Sequence, residues 1–154
     1  MHSLARRYIK TAILFLGLGL AIGFWMVVAR DIGGQSPTPL LITAHTHSIL
    51  VGFVMMMILG VALWLLPRPE RGDEQYSPQR ADVAYWLLTG GTIARTAGEV
   101  VRALLTAPPD TPLALATVAG AILQIAGLSL FFYTVWGRIR SAGSREREAR
   151  GERF

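Results

Sequence analysis

The sequence predicts an all-α integral membrane protein of four transmembrane helices, and three observations carry that prediction. The 154 residues are 52% hydrophobic with a mean hydropathy of +0.42, too apolar for an ordinary water-soluble domain. The apolar residues gather into four long runs, 8–29, 40–66, 81–105 and 113–136, each close to the ~20 residues that cross a bilayer as a helix. Short polar segments rich in proline, glycine or charge separate the runs. One membrane domain, residues 1–137, is therefore expected, followed by a charged tail, 138–154.

The first run follows Arg6, Arg7 and carries Lys10. It exceeds a signal-peptide core in length and no small-x-small cleavage site follows, so it reads as a retained helix. Gly17, Gly19 and Gly23 lie along it. Small residues allow close helix approach, but the simpler reading is the ordinary glycine content of a membrane helix. Arg30 to Pro39 is a loop, broken by Gly33, Gly34 and two prolines. The second run is closed by Pro67, and Arg68 to Arg80 reads as a charged surface loop. The third run is apolar but contains Arg95, Glu99 and Arg102. Ala107 to Pro112, APPDTP, breaks the chain again, and the fourth run has only Gln124 and small hydroxyls as polar content.

Orientation follows from the basic residues. The N-terminus has three, the second-to-third loop three and the tail six, against only Arg30 in the loops of the other side. By the positive-inside rule both termini face the cytoplasm. The same flanking positions explain the pI near 10.4 without any nucleic-acid partner; the partner they imply is the lipid bilayer. Cysteine is absent, which excludes disulfides, thiolate metal sites, iron–sulfur clusters and covalently attached haem.

The candidate site lies at the outer end. His45 and His47 are two of the three histidines, and they enter the second helix near its outer terminus. An ionisable side chain within a span marks a functional site by default. Positions i and i+2 of a helix point about 200° apart, so the two rings serve two different places. The third helix runs outward and brings Glu99 and Arg102 to the same depth, with Arg95 about a turn deeper. Neutral imidazole in a cysteine-free apolar site suits haem iron or a divalent transition metal. Arg102 is placed to bind a carboxylate such as a haem propionate through its planar fork, or to snorkel to the interface. Arg95 and Glu99, four apart, can also pair with each other. Met55, Met56 and Met57 point in three directions and cannot converge on one copper ion.

The stretch AHTHSILVGFVMMMILGVALWLLPR, residues 44–68, resembles the histidine-bearing helices of subunit I of haem–copper oxidases and bacterial nitric oxide reductases, closest to the C-type oxidase branch. That subunit has twelve helices in three arcs of four, and its tenth helix sends the two rings of a His-x-His to two haems. The resemblance implies that this chain is one four-helix arc in a bacterial cell membrane. It implies that His45 and His47 are haem ligands, the haem being most simply non-covalent haem b. Arg102, Arg95 and Glu99 would then surround the cofactor. The implied role is electron transfer, with a redox partner, or work on a diatomic gas. Beyond His45 and His47 the spans hold no histidine, so the copper-site ligands for reducing dioxygen or nitric oxide are missing and no enzyme activity is carried over to this chain alone. The missing second axial ligand is expected from a neighbouring copy, in a homotrimer that restores three arcs, with a two-fold dimer as the alternative. The competing reading is a non-redox accessory subunit or small transporter, in which the histidines, Arg95 and Glu99 form a buried polar network.

Overall fold

The structure, a computed structural model, describes residues 3–66, 77–106, 111–139 and 150–151. Pro67, most of the charged 68–80 loop, positions 107–110 of the APPDTP breaker and nearly all of the charged tail lie outside the described residues.

Four helices form, and no strand is present among the described residues: α1 (Ser3–Asp31), α2 (Pro39–Leu65), α3 (Pro78–Leu105) and α4 (Pro112–Val135), the last extended by a turn of 3₁₀ helix at Trp136–Arg138. Local chemistry sets their starts. Pro39, Pro78 and Pro112 each open a helix, where proline's fixed φ fits and its missing N–H is no loss. Thr38 caps α2 by accepting from Leu41 N–H at 3.3 Å, and Ser77 caps α3 by accepting from Arg80 N–H. Thr106 ends α3 in the left-handed region at φ 48°, its N–H returning to Arg102 O. A β-branched residue adopts that conformation at some cost, here offset by the capping bond. Arg6, Arg7 and Lys10 fall inside α1 rather than ahead of it.

α1, α2 and α4 are long and apolar enough to cross a membrane. α3 is equally long but carries charges, and its arrangement explains why it still belongs in lipid. Its polar residues Thr89, Thr92, Thr96 and Glu99 are buried in the bundle, while Trp86, Ile93, Leu104 and Leu105 face outward. Water would favour the reverse, whereas hydrocarbon favours this order.

The helices pack as an open arc. α1 lies along α2, α2 meets α3 at the histidine end, and α3 lies along α4. The other end is closed by side chains: the buried Tyr8 ring stands edge-on to Tyr85 at 5.1 Å and to Phe131 at 5.7 Å, within a core that includes Met56, Leu59, Leu63, Leu88 and Val135. Arg7 pairs with Asp82 and sits over the Tyr85 ring, and the Tyr85 hydroxyl bonds to Thr11 at 2.8 Å. A second, smaller core of Ile22, Leu41, Ala44 and Ala103 lies at the histidine end.

Glycine decides how closely the helices approach. A Cβ on Gly91 would stand 2.7 Å from Gly120 O, and one on Gly120 2.7 Å from Arg95 N, so α3 and α4 touch backbone to backbone. A Cβ on Gly19 would enter Ile49, and one on Gly23 would meet the His45 ring, whereas Gly17 faces open space. The reading of these three as unremarkable membrane-helix glycines thus holds only for Gly17.

One feature of α2 departs from a uniform helix. From Ser48 to Met55 the backbone is wound as a π-helix, its hydrogen bonds reaching five residues instead of four. It begins at the residue after His47, with Ser48 fully buried and Gly52 packed on Phe15.

Candidate functional site

The two histidines leave α2 in different directions, as the i, i+2 spacing requires. His45 turns to α1, where its Nδ1 lies 2.8 Å from Gly19 O. Gly23, one helical turn further along α1, provides the room: a Cβ there would be 2.9 Å from His45 Cε1 and 3.1 Å from Nδ1. His47 keeps its Nδ1 2.8 Å from Thr43 O, one turn back in its own helix. The same nitrogen lies 3.9 Å from Glu99 Oε2 on α3.

These contacts fix the chemistry of both rings. A carbonyl only accepts, so each Nδ1 carries its hydrogen and donates it, which in a neutral ring leaves the lone pair on Nε2. This is the tautomer in which a histidine ligates a metal through Nε2, with Nδ1–H anchored to a backbone carbonyl. Neither ring is sealed: both are partly exposed, His47 at 22%.

Glu99 is the most deeply buried charged group of the cluster, its side chain 3% exposed. Arg95 Nε donates to Glu99 Oε1 at 3.2 Å, Arg95 Nη1 donates to Gln124 Oε1 at 3.3 Å, and Gln124 Nε2 donates to Thr92 Oγ1 at 3.1 Å. Thr92 closes the chain on Leu88 O at 2.7 Å. Arg95 and Glu99 therefore form the i, i+4 pair that their spacing predicts, held across the α3–α4 seam. Glu99 Oε2 has no hydrogen-bond partner. Arg102, three residues beyond Glu99, is half-buried, with its Nε atom buried and unpartnered.

The structure thus joins His47, Glu99 and Arg95 and leaves His45 apart, on the opposite flank of α2. Sequence reasoning missed Gln124, although a lone amide in an apolar span was a signal, and it missed the part that Gly19 and Gly23 play in seating His45.

Haem fits the donor set. A porphyrin supplies the equatorial nitrogens of its iron, so the protein need offer only an axial imidazole Nε2 per face. Among the described residues no group of three or more His, Cys, Asp or Glu gathers to hold a bare ion, so a metal bound by protein ligands alone is the poorer match. Arg102 Nε is a donor of the cluster that no acceptor among the described residues takes, and a carboxylate would suit it.

No curated protein and no solved structure gives a significant match to the chain. The family model for cytochrome c and quinol oxidase polypeptide I matches residues 3–149, nearly the whole length, and the chain belongs to that family.

Proposed function

We propose that this protein is a membrane cytochrome that binds non-covalent haem, most simply haem b, through His45 and His47. The observation that carries the reading is the shared contact: each Nδ1 lies 2.8 Å from a backbone carbonyl, which in a neutral ring leaves the Nε2 lone pair for a ligand. Family membership supports it. Haem would supply one-electron chemistry, and an iron ligated on both faces favours electron transfer with a redox partner over gas chemistry.

His45 and His47 leave opposite flanks of one helix, so a single chain does not offer both rings to one iron. The assembly that resolves this is a ring in which His47 of one protomer and His45 of the next face each other. Three protomers of four helices are preferred, and a two-fold dimer is the alternative. Native mass spectrometry tests it, with three chains and one haem per chain expected. A monomer holding a low-spin bis-histidine haem would overturn it.

The distribution of arginine and lysine supports an orientation with both termini in the cytoplasm, and the resemblance to bacterial oxidase subunits is the basis for a bacterial cell membrane; reporter fusions at each end test the orientation. The haem reading itself is tested on the purified protein. Reducible Soret and alpha bands are expected, lost in His45→Ala and His47→Ala. A protein that stays colourless and does not change the spectrum of added haem refutes it.

One observation favours a second reading. The Glu99–Arg95–Gln124–Thr92 chain is largely satisfied within the bundle, as in a non-redox accessory subunit or small transporter. Haem stoichiometry by pyridine hemochromogen separates the two.

A further inference from the structure

Glu99 has more carboxylate than its partners use. Arg95 takes Oε1, and Gln124 and Thr92 hold Arg95 in turn. The carboxylate is thereby fixed with Oε2 turned toward α2. That oxygen is buried and accepts no hydrogen bond, which is costly for an ionised group. The donor within reach is His47 Nδ1–H, at 3.9 Å.

We propose that Glu99 is a positioning residue for His47. Its unshared oxygen holds the ring proton on Nδ1 and so keeps the Nε2 lone pair directed outward for a ligand. At 3.9 Å the pair is not a hydrogen bond, but a ring movement of about 1 Å would make it one. At the present distance it already acts through charge, because a buried negative group favours the positive end of the ring dipole beside it. The Thr43 carbonyl, on His47's own helix, holds the same hydrogen by a short contact. Glu99 adds an anionic acceptor from a second helix. An imidazole that shares its Nε2 lone pair becomes a stronger Nδ1–H donor, so the pull of Glu99 grows as His47 ligates. Among the described residues no carboxylate plays this role for His45; its Nδ1 faces Gly19 O.

This inference rests on the reading of His47 as a ligand, but its first test needs no haem. Protein labelled with ¹⁵N-histidine, haem-free in nanodiscs, reports the tautomer of each ring by long-range proton–nitrogen correlation. Glu99→Gln should raise the Nε2–H form of His47 several-fold and leave His45 unchanged. Because that variant strands Arg95 and can fail to fold, the double variant R95Q/E99Q, which removes both charges together, serves as the second. An unchanged His47 tautomer in the folded variants overturns the proposal. In the haem-loaded protein the same variants should raise the midpoint potential, and an unchanged potential also overturns it. A tautomer shift in a protein that never takes up haem retains the positioning role and refutes the cytochrome reading instead.

Discussion

Replacing Gly23 with alanine tests the seat of His45. The added Cβ would lie 2.9 Å from Cε1, 3.1 Å from Nδ1 and 3.7 Å from Nε2 of the ring, the first two well inside ordinary contact. The ring can swing away, but its Nδ1 then leaves Gly19 O, now 2.8 Å distant. Overpacking of this kind costs about 1–3 kcal/mol, and the lost hydrogen bond adds ~1 kcal/mol. Alanine's better helix propensity returns roughly 1 kcal/mol. The net expectation is a loss of about 1–3 kcal/mol. Gly17→Ala is the matched control, since nothing lies within 4 Å of its Cβ position, and it should be neutral or slightly stabilising. Thermal unfolding in one detergent, read by circular dichroism for both variants, measures the difference. Equal melting temperatures for Gly17→Ala and Gly23→Ala would show that the ring is not seated against α1.

Two further outcomes follow from the same packing. Gly91→Ala should be more damaging than Gly23→Ala, because its Cβ would meet backbone, Gly120 O at 2.7 Å and Gln124 N at 2.8 Å, which cannot rotate aside; a lower melting temperature and easier proteolysis between α3 and α4 are expected. Tyr8→Phe should be neutral or stabilising, since its buried hydroxyl has no partner, while Tyr85→Phe should lose about 1 kcal/mol with the Thr11 bond; urea or thermal titration of the two side by side checks the order.

Much of this fold was legible because the punctuation is local. The breakers around 39, 78 and 112 read as loop in the sequence, whereas Pro39, Pro78 and Pro112 each open a helix, so the punctuation marks the boundaries within a few residues. The i, i+4 spacing of Arg95 and Glu99 suffices to pair them. The split of His45 from His47 follows from helical geometry alone. What stayed hidden is which way an apolar face points. In α1 and α4 leucine and isoleucine suit lipid and protein interior equally, so nothing in the sequence separates Gly19 and Gly23, which are packed, from Gly17, which is open. α3 is the exception, because its charges and threonines face inward. The partner of a buried side chain was equally out of reach: Gln124 meets Arg95 only because glycines let α3 and α4 touch. The π-wound segment left no mark on the hydropathy pattern at all.

That segment makes α2 two helices in one, with their phases set separately. A π turn holds more residues than an α turn, so the eight residues from Ser48 to Met55 act as a vernier between the end that carries His45 and His47 and the end with Met56, Leu59 and Leu63 in the core. Removing one residue from the segment would tighten it toward an α-helix. Because a π turn already carries the extra residue, the two ends would turn against each other far less than the ~100° that a deletion causes in a uniform α-helix. The end gripped by the core would stay, so whatever turn remains would fall on the histidines. In this chain the aim of the two rings therefore depends on a stretch outside the histidine pair: a deletion there is taken up by rewinding to α, whereas an insertion has no such slack and would retarget the site while leaving every residue of it in place.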